Sequence, residues 1–363
     1  MPLLTLIFYP AELSNAKFFI IPGGAIICLG YLLALILKDK AKGHLQKHQD
    51  AVLVVSVWLI AIMSSALPFM LTGNYSFSQA VFEATSGWST TGLTVVDVSQ
   101  TPHIFLMHRS LTTFFGAIGL LLVVLSLLSD NDGAKLYNFK GRSNKMIPNL
   151  LHTLKMILAI YAAIIGAGAI MYKIYGMPWF DAFNHAITAV STGGFSTKAD
   201  SIGFYHSAPI ELISIVLMLS GSISFIAYFN LLQGKYKIFF KSCEFKFTVI
   251  LCLLGIPILA VLLRHSWAGS LPQAFRIAGF QFISALTTTG FCTVNSFNAW
   301  PASTLFIIIL AMLTGGGSHS TAGGLKQFRV CILLKNILWQ IDTKFAHKRV
   351  VKAHTVDLPS PYK

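Results

Sequence analysis

The sequence predicts an all-α polytopic membrane protein built from a repeated unit, and three observations carry that prediction. The 363 residues are 55% hydrophobic and only 11% charged, with mean hydropathy +0.68. Apolar runs of about 20 residues, the length needed to span hydrocarbon, recur along the chain. Between them, at a period of about a hundred residues, stand three Thr/Ser-Gly segments: Thr90-Thr91-Gly92-Leu93-Thr94, Ser191-Thr192-Gly193-Gly194-Phe195 and Thr288-Thr289-Gly290-Phe291-Cys292. A Phe ten positions before Gly92, Gly193 and Gly290 (Phe82, Phe183 and Phe280) sets the register of the three copies.

Spanning runs are expected at 18–37, 52–71, 105–128, 156–172, 210–232 and 247–263, with a last, interrupted one at 305–341. The first nine residues are too short to span and lack the positive flank and cleavage site of a signal peptide. Segments 77–87, 179–190 and 272–286 are apolar with a polar stripe, too short to cross, and run directly into the Thr/Ser-Gly segments. They read as re-entrant helices. Irregular backbone at membrane depth is tolerated only where it is buried in protein or lines a wet cavity, so three such loops imply one shared cavity. Helices entering it with their C-terminal, negative ends favour a cation. Glycine turns carbonyls toward one axis without a Cβ penalty, and Thr or Ser adds hydroxyl oxygen beside them. Rings of such oxygens can replace the hydration shell of potassium.

The formal net charge of +14 points to phospholipid rather than nucleic acid because of where the basic residues fall. Lys38, Lys40, Lys42 and Lys47 fill one loop, and Lys135, Lys140, Arg142 and Lys145 the next on that side. Lys235, Lys237, Lys241 and Lys246 follow, then Lys344, Lys348, Arg349 and Lys352 in the tail. The positive-inside rule puts these loops and the C-terminus in the cytoplasm and the glycine loops outside. The five cysteines, Cys28, Cys243, Cys252, Cys292 and Cys331, show neither metal spacing nor a disulfide framework.

The chain resembles the Trk/Ktr/HKT superfamily of potassium transporters, most closely its bacterial TrkH type. The resemblance rests on Phe82-Glu83-Ala84-Thr85-Ser86-Gly87 leading to Thr90-Thr91-Gly92, and on Asp181-Ala182-Phe183 leading to the segment that ends Phe195-Ser196-Thr197. Phe297-Asn298-Ala299-Trp300-Pro301 continues it, as does the glycine-rich run Gly315-Gly316-Gly317-Ser318-His319-Ser320-Thr321-Ala322-Gly323-Gly324-Leu325-Lys326. It implies units of outer helix, pore helix, filter loop and inner helix around a pseudo-fourfold pore. Three of the four units are expected here, at 49–148, 149–243 and 244–342, with an N-terminal membrane segment and basic loop at 1–48 and a basic tail at 343–363. By resemblance, Gly92, Gly193 and Gly290 are filter glycines. The ion-binding set is Thr91, Gly92, Leu93, Thr192, Gly193, Gly194, Thr289, Gly290 and Phe291, with potassium at Thr91, Gly92, Thr192, Gly193, Thr289 and Gly290.

The run at 315–324 would break the third inner helix and serve as a gate; Lys326 and Arg329 at its end read either as a gating pair or as membrane-edge snorkellers. His319 inside it offers a group that titrates near neutrality. The implied function is potassium uptake across the bacterial cytoplasmic membrane. Potassium is substrate, and no cofactor is expected. Implied partners are a second copy in a homodimer and a cytoplasmic ring of nucleotide-binding regulatory subunits.

Two departures from the family pattern are read from the residues. One clear span precedes the first unit where the family usually has a pair, and no fourth filter segment is found. Ser320-Thr321-Ala322-Gly323 lies too close to Gly290 to be one. The expectation is a chain that needs a fourth repeat, from a longer product or from a second polypeptide, the alternative being a non-conducting or accessory subunit. Two other classes compete. Ser318 and Ser320 in a broken helix could belong to an intramembrane serine hydrolase, but that needs an activating His on a neighbouring helix, His152 lies toward a cytoplasmic end and offers no partner, and the three Thr/Ser-Gly segments stay unexplained. A secondary transporter with broken helices would more often have inverted repeats, whereas these share one orientation.

Overall fold

A computed structural model describes residues 2–37, 49–129, 150–266 and 269–345. The basic residues Lys38 to Lys47, Lys135 to Lys145 and Lys348 to Lys352, and the unit boundaries at 48 and 148, lie outside the described residues. Among the described residues helices are the only regular secondary structure. Two 3₁₀ turns, Pro2–Ile7 and Pro10–Ala16, lead into α1 (Lys17–Leu37). The first unit follows as α2 (Gln49–Leu71), α3 (Phe77–Trp88) and α4 (His103–Ser129). The second is α5 (Leu150–Ile174), α6 (Trp179–Val190) and α7 (Ala208–Ser222), extended by α8 (Phe225–Leu232) and α9 (Tyr236–Lys241). The third is α10 (Cys243–Ser266), α11 (Leu271–Leu286) and α12 (Ala302–Thr314), followed by α13 (Gln327–Phe345).

Each short helix lies between the two long helices of its unit: α3 between α2 and α4, α6 between α5 and α7, α11 between α10 and α12. The starts are set locally. Ser76 and Gln79 form a capping box on α3, and α6 and α11 begin beside Pro178 and Pro272, which suit a first turn whose N–H groups have no helical partner. The N-terminal segment has a defined task as well: the Glu12 carboxylate accepts from the N–H groups of His103 and Ile104 at 2.9 and 3.0 Å, capping α4.

The units are joined by one rule. The inner helix of each packs on the short helix of the next, α4 on α6 and α7 on α11. The second unit therefore carries the largest core, in which Tyr161, Tyr172, Met177, Ile202, Met218 and Phe291 are fully buried. By length and composition Val52–Leu71, Leu154–Ile174 and Cys243–Arg264 can cross a membrane, as can Pro10–Leu37. Their outward faces are apolar, as hydrocarbon requires.

Two expectations are corrected here. The run at 210–232 is not one continuous helix: α7 and α8 meet at 99°. Ile223 leaves the helix with extended backbone and Ser224 caps the next, so the Gly221 and Ser222 carbonyls have no helical partner and are free for another segment. Cys243 and Cys331 are disulfide-bonded across α10 and α13. Nothing in their spacing signals this, because the pair is made by the packing of two helices far apart in sequence.

Candidate ion pathway

The three short helices end in the same turn. Each C-cap hydroxyl (Ser89, Ser191, Thr287) donates back to a carbonyl of the last helical turn at 2.7–2.8 Å. The next residue, Thr90, Thr192 or Thr288, is left-handed, with φ of 55°, 50° and 54°. The one after it, Thr91, Gly193 or Thr289, donates its N–H to the carbonyl of Ser86, Thr188 or Ser284 at 2.8–2.9 Å. The glycine that follows is again left-handed: Gly92 at 79°, Gly194 at 69° and Gly290 at 88°. A threonine at positive φ is a strained choice, and its occurrence three times over marks a site rather than an accident.

This backbone corrects the register read from sequence. Gly194, not Gly193, is the counterpart of Gly92 and Gly290. The position ten residues earlier is then Phe82, Asn184 and Phe280, and Phe183 drops out of the set. Two adjacent glycines left the choice open in the sequence; the turn decides it, because only the second needs the left-handed conformation.

Neighbouring turns abut. A Cβ on Gly92 would run into the Gly193 carbonyl oxygen, and one on Gly194 into the Thr289 carbonyl oxygen. Among the described residues, a Cβ on Gly290 would meet nothing within 4 Å. The last residue of each turn is placed unequally: Phe195 and Phe291 are buried, whereas Leu93 is exposed.

Beneath the turns, on the side of the short-helix C-termini, lies the loop between α12 and α13. Gly315 and Gly324, at φ 57° and 68°, pinch its neck so closely that a Cβ on either would strike the other's backbone. Its crown is tied to the turns and to the α7–α8 break. Thr321 Oγ1 lies 3.0 Å from the Val190 carbonyl and 2.9 Å from that of Gly221, and the Thr192 hydroxyl donates to it at 3.3 Å. The Gly323 N–H donates to Thr288 Oγ1 at 2.7 Å, and the Gly317 N–H to the Ser222 carbonyl at 3.0 Å.

Glu244 on α10 accepts from the Ser318 N–H at 2.8 Å, and the His319 carbonyl accepts from the Phe225 N–H at 3.1 Å. Gly316 packs on Ala322. Lys326 folds back onto the Ala322 carbonyl at 2.5 Å, which ties it to the loop itself. Ser320 donates to Gly317 within the loop. The break in α7, Glu244 and the contacts to Thr192 and Thr288 escaped sequence reasoning, although Ser220-Gly221-Ser222 carried a signal in its run of small, hydroxylated residues.

Residues 17–357 match the family model for TrkH, a cation transport protein. The chain belongs to the TrkH family. As a TrkH-family chain it is a transporter and not an enzyme, which retires the hydrolase reading of Ser318 and Ser320. It is 32% identical over 350 residues to an uncharacterized cation transporter of Methanocaldococcus jannaschii, covering 95% of this chain and 70% of that one. It is 31% identical to the Trk system potassium uptake protein TrkH of Salmonella typhimurium, covering 82% of this chain and 63% of the relative. The crystal structure of the potassium transporter TrkH from Vibrio parahaemolyticus matches with a TM-score of 0.84 at 27% identity, over 98% of this chain and 75% of that one. The polytopic all-α fold is therefore that of TrkH.

Proposed function

We propose that this chain carries potassium across the cytoplasmic membrane through a filter made of residues 90–93, 192–195 and 288–291, with the loop at 315–326 as its gate. The observation that carries this reading is the one turn in three copies, set edge to edge at the C-termini of the three short helices. Those helix ends favour a cation, and backbone oxygens held at fixed spacing can stand in for its water. Potassium as the ion follows the names of the relatives. The gate reading is supported by the bonds that join Thr321 and Gly323 to the first residue of two filter turns. With the turns outside, Lys235, Lys237, Lys241, Lys246 and Lys344 fall on the cytoplasmic side.

On this reading the open flank at Gly290 is closed by a fourth filter segment, from a further stretch of the same product or from a second polypeptide. The exposed residues of α12, Phe306, Ile309, Leu310 and Leu313 among them, form the face that would receive its short helix, following the rule that joins the other units. A homodimer and a cytoplasmic nucleotide-binding ring complete the proposal. A second reading, an accessory chain that does not conduct alone, is favoured by the same open flank.

Rubidium uptake in cells lacking their own potassium transporters tests both. The chain fused to the fourth repeat of a complete relative is expected to take up rubidium, and the chain alone is not. Uptake by the chain alone would overturn the need for a fourth segment, and its absence from both would sink the potassium reading.

A further inference from the structure

One position of the three short helices, nine residues before each filter glycine, is occupied by Glu83, His185 and Gln281. All three are buried, and burying such groups costs free energy unless they are bonded. Each makes at least one hydrogen bond to the segment that leaves its own filter turn. Glu83 accepts from the Thr94 hydroxyl at 2.8 Å and from the Val95 N–H at 3.1 Å. His185 donates from Nδ1 to the Asp181 carbonyl at 2.8 Å, so that Nε2 accepts from the Ser196 hydroxyl at 2.9 Å. Gln281 Nε2 donates to Thr293 Oγ1 at 3.3 Å. Three different functional groups perform one task from one place.

The carboxylate has a counter-charge that the other two do not need. Arg109, on the inner helix of the first unit, donates from Nε to Glu83 at 2.6 Å. Its guanidinium lies 4.2 Å from the centre of the Phe195 ring, and Nη1 donates to the Ser196 carbonyl at 3.3 Å. The Glu83–Arg109 pair therefore props the first filter strand and grips the second. With its charge neutralised and its oxygens occupied, Glu83 is a brace and not an ion ligand.

We propose that Glu83 with Arg109, His185 and Gln281 are the positioning residues of the filter, fixing the spacing of its oxygens and so its discrimination between alkali cations. Discrimination depends on the number and separation of oxygens around the ion, and a site loose by a fraction of an ångström loses it. The inference rests on the filter reading above.

The test is the rubidium-to-sodium uptake ratio, normalised to the amount of protein in the membrane, in whichever form of the chain carries rubidium. Gln281→Leu, His185→Leu and the charge-neutral pair Glu83→Gln/Arg109→Gln are expected to lower the ratio by roughly 2- to 12-fold each, the range that a net hydrogen bond of about 0.5–1.5 kcal/mol converts to. His185→Gln, which keeps an acceptor toward Ser196, is expected to restore it. Loss of protein or of total uptake at a constant ratio in all three would mean these groups only support folding, and would overturn the inference. Gly194→Ala separates the two levels. If it changes uptake while the braced positions leave the ratio untouched, this inference alone fails; if it changes nothing, the filter reading fails with it.

Discussion

Gly194 and Gly290 hold the same place in the same turn, at φ 69° and 88°, and differ in what stands beside them. Gly194 faces the Thr289 carbonyl of the next unit, and Gly290 faces none of the described residues. The local sequence writes the turn; the neighbouring unit determines how much that turn tolerates. The second unit, flanked on both sides, has its filter residues buried from Ser191 to Gly193, whereas Gly290 and Leu93 at the two outer edges are exposed.

Gly194→Ala should produce the largest effect that tests this contrast. Alanine brings the left-handed penalty of about 1–2 kcal/mol, and its Cβ meets a backbone oxygen that can give only if the third filter turn moves. Rubidium uptake by the conducting form is expected to be lost, with a fall of at least about tenfold at about 1.4 kcal/mol. Uptake within twofold of the unmodified chain would show that the two turns are not held edge to edge.

A smaller effect, of opposite sign, is expected beneath the turns. Thr321→Val keeps the shape of the side chain and removes the hydroxyl that joins the loop to Val190, Gly221 and Thr192. Weakening the loop by roughly 1 kcal/mol should raise rubidium uptake about fivefold while leaving the rubidium-to-sodium ratio unchanged. A ratio that falls together with uptake would mean that the loop supports the filter instead of closing it.

The two regions were also unequally legible. The short helices and their Thr/Ser-Gly ends follow from length, periodicity and glycine content, which are local properties, and the described helices 77–88, 179–190 and 271–286 fall where the apolar segments put them. The loop at 315–324 was visible for the same reason. What holds it was not, since Glu244, Ser222, Val190 and Thr288 come from four elements that only the assembled units bring together. Glu83 was legible as part of the first motif; Arg109, which decides what its charge does, stood unremarked in an apolar run. Backbone conformation was the other blind spot, as the choice between Gly193 and Gly194 shows.

Gly290→Ala gives the smallest effect on the stability of the chain by itself, and the sharpest division. In the chain by itself none of the described residues lies near the added methyl group, so the expected cost is the left-handed penalty alone, about 1–2 kcal/mol, and a drop in melting temperature of a few degrees. Gly194→Ala, by contrast, should melt well below it. In the conducting form, where a fourth filter segment is proposed to stand against Gly290 as Thr289 stands against Gly194, the order should vanish and both variants should lose uptake. Mild loss of stability with full loss of uptake in Gly290→Ala would then report a neighbour at the open flank. If both losses are mild, the filter turn of the third unit has no such neighbour, and the rule that joins the first three units does not extend to a fourth.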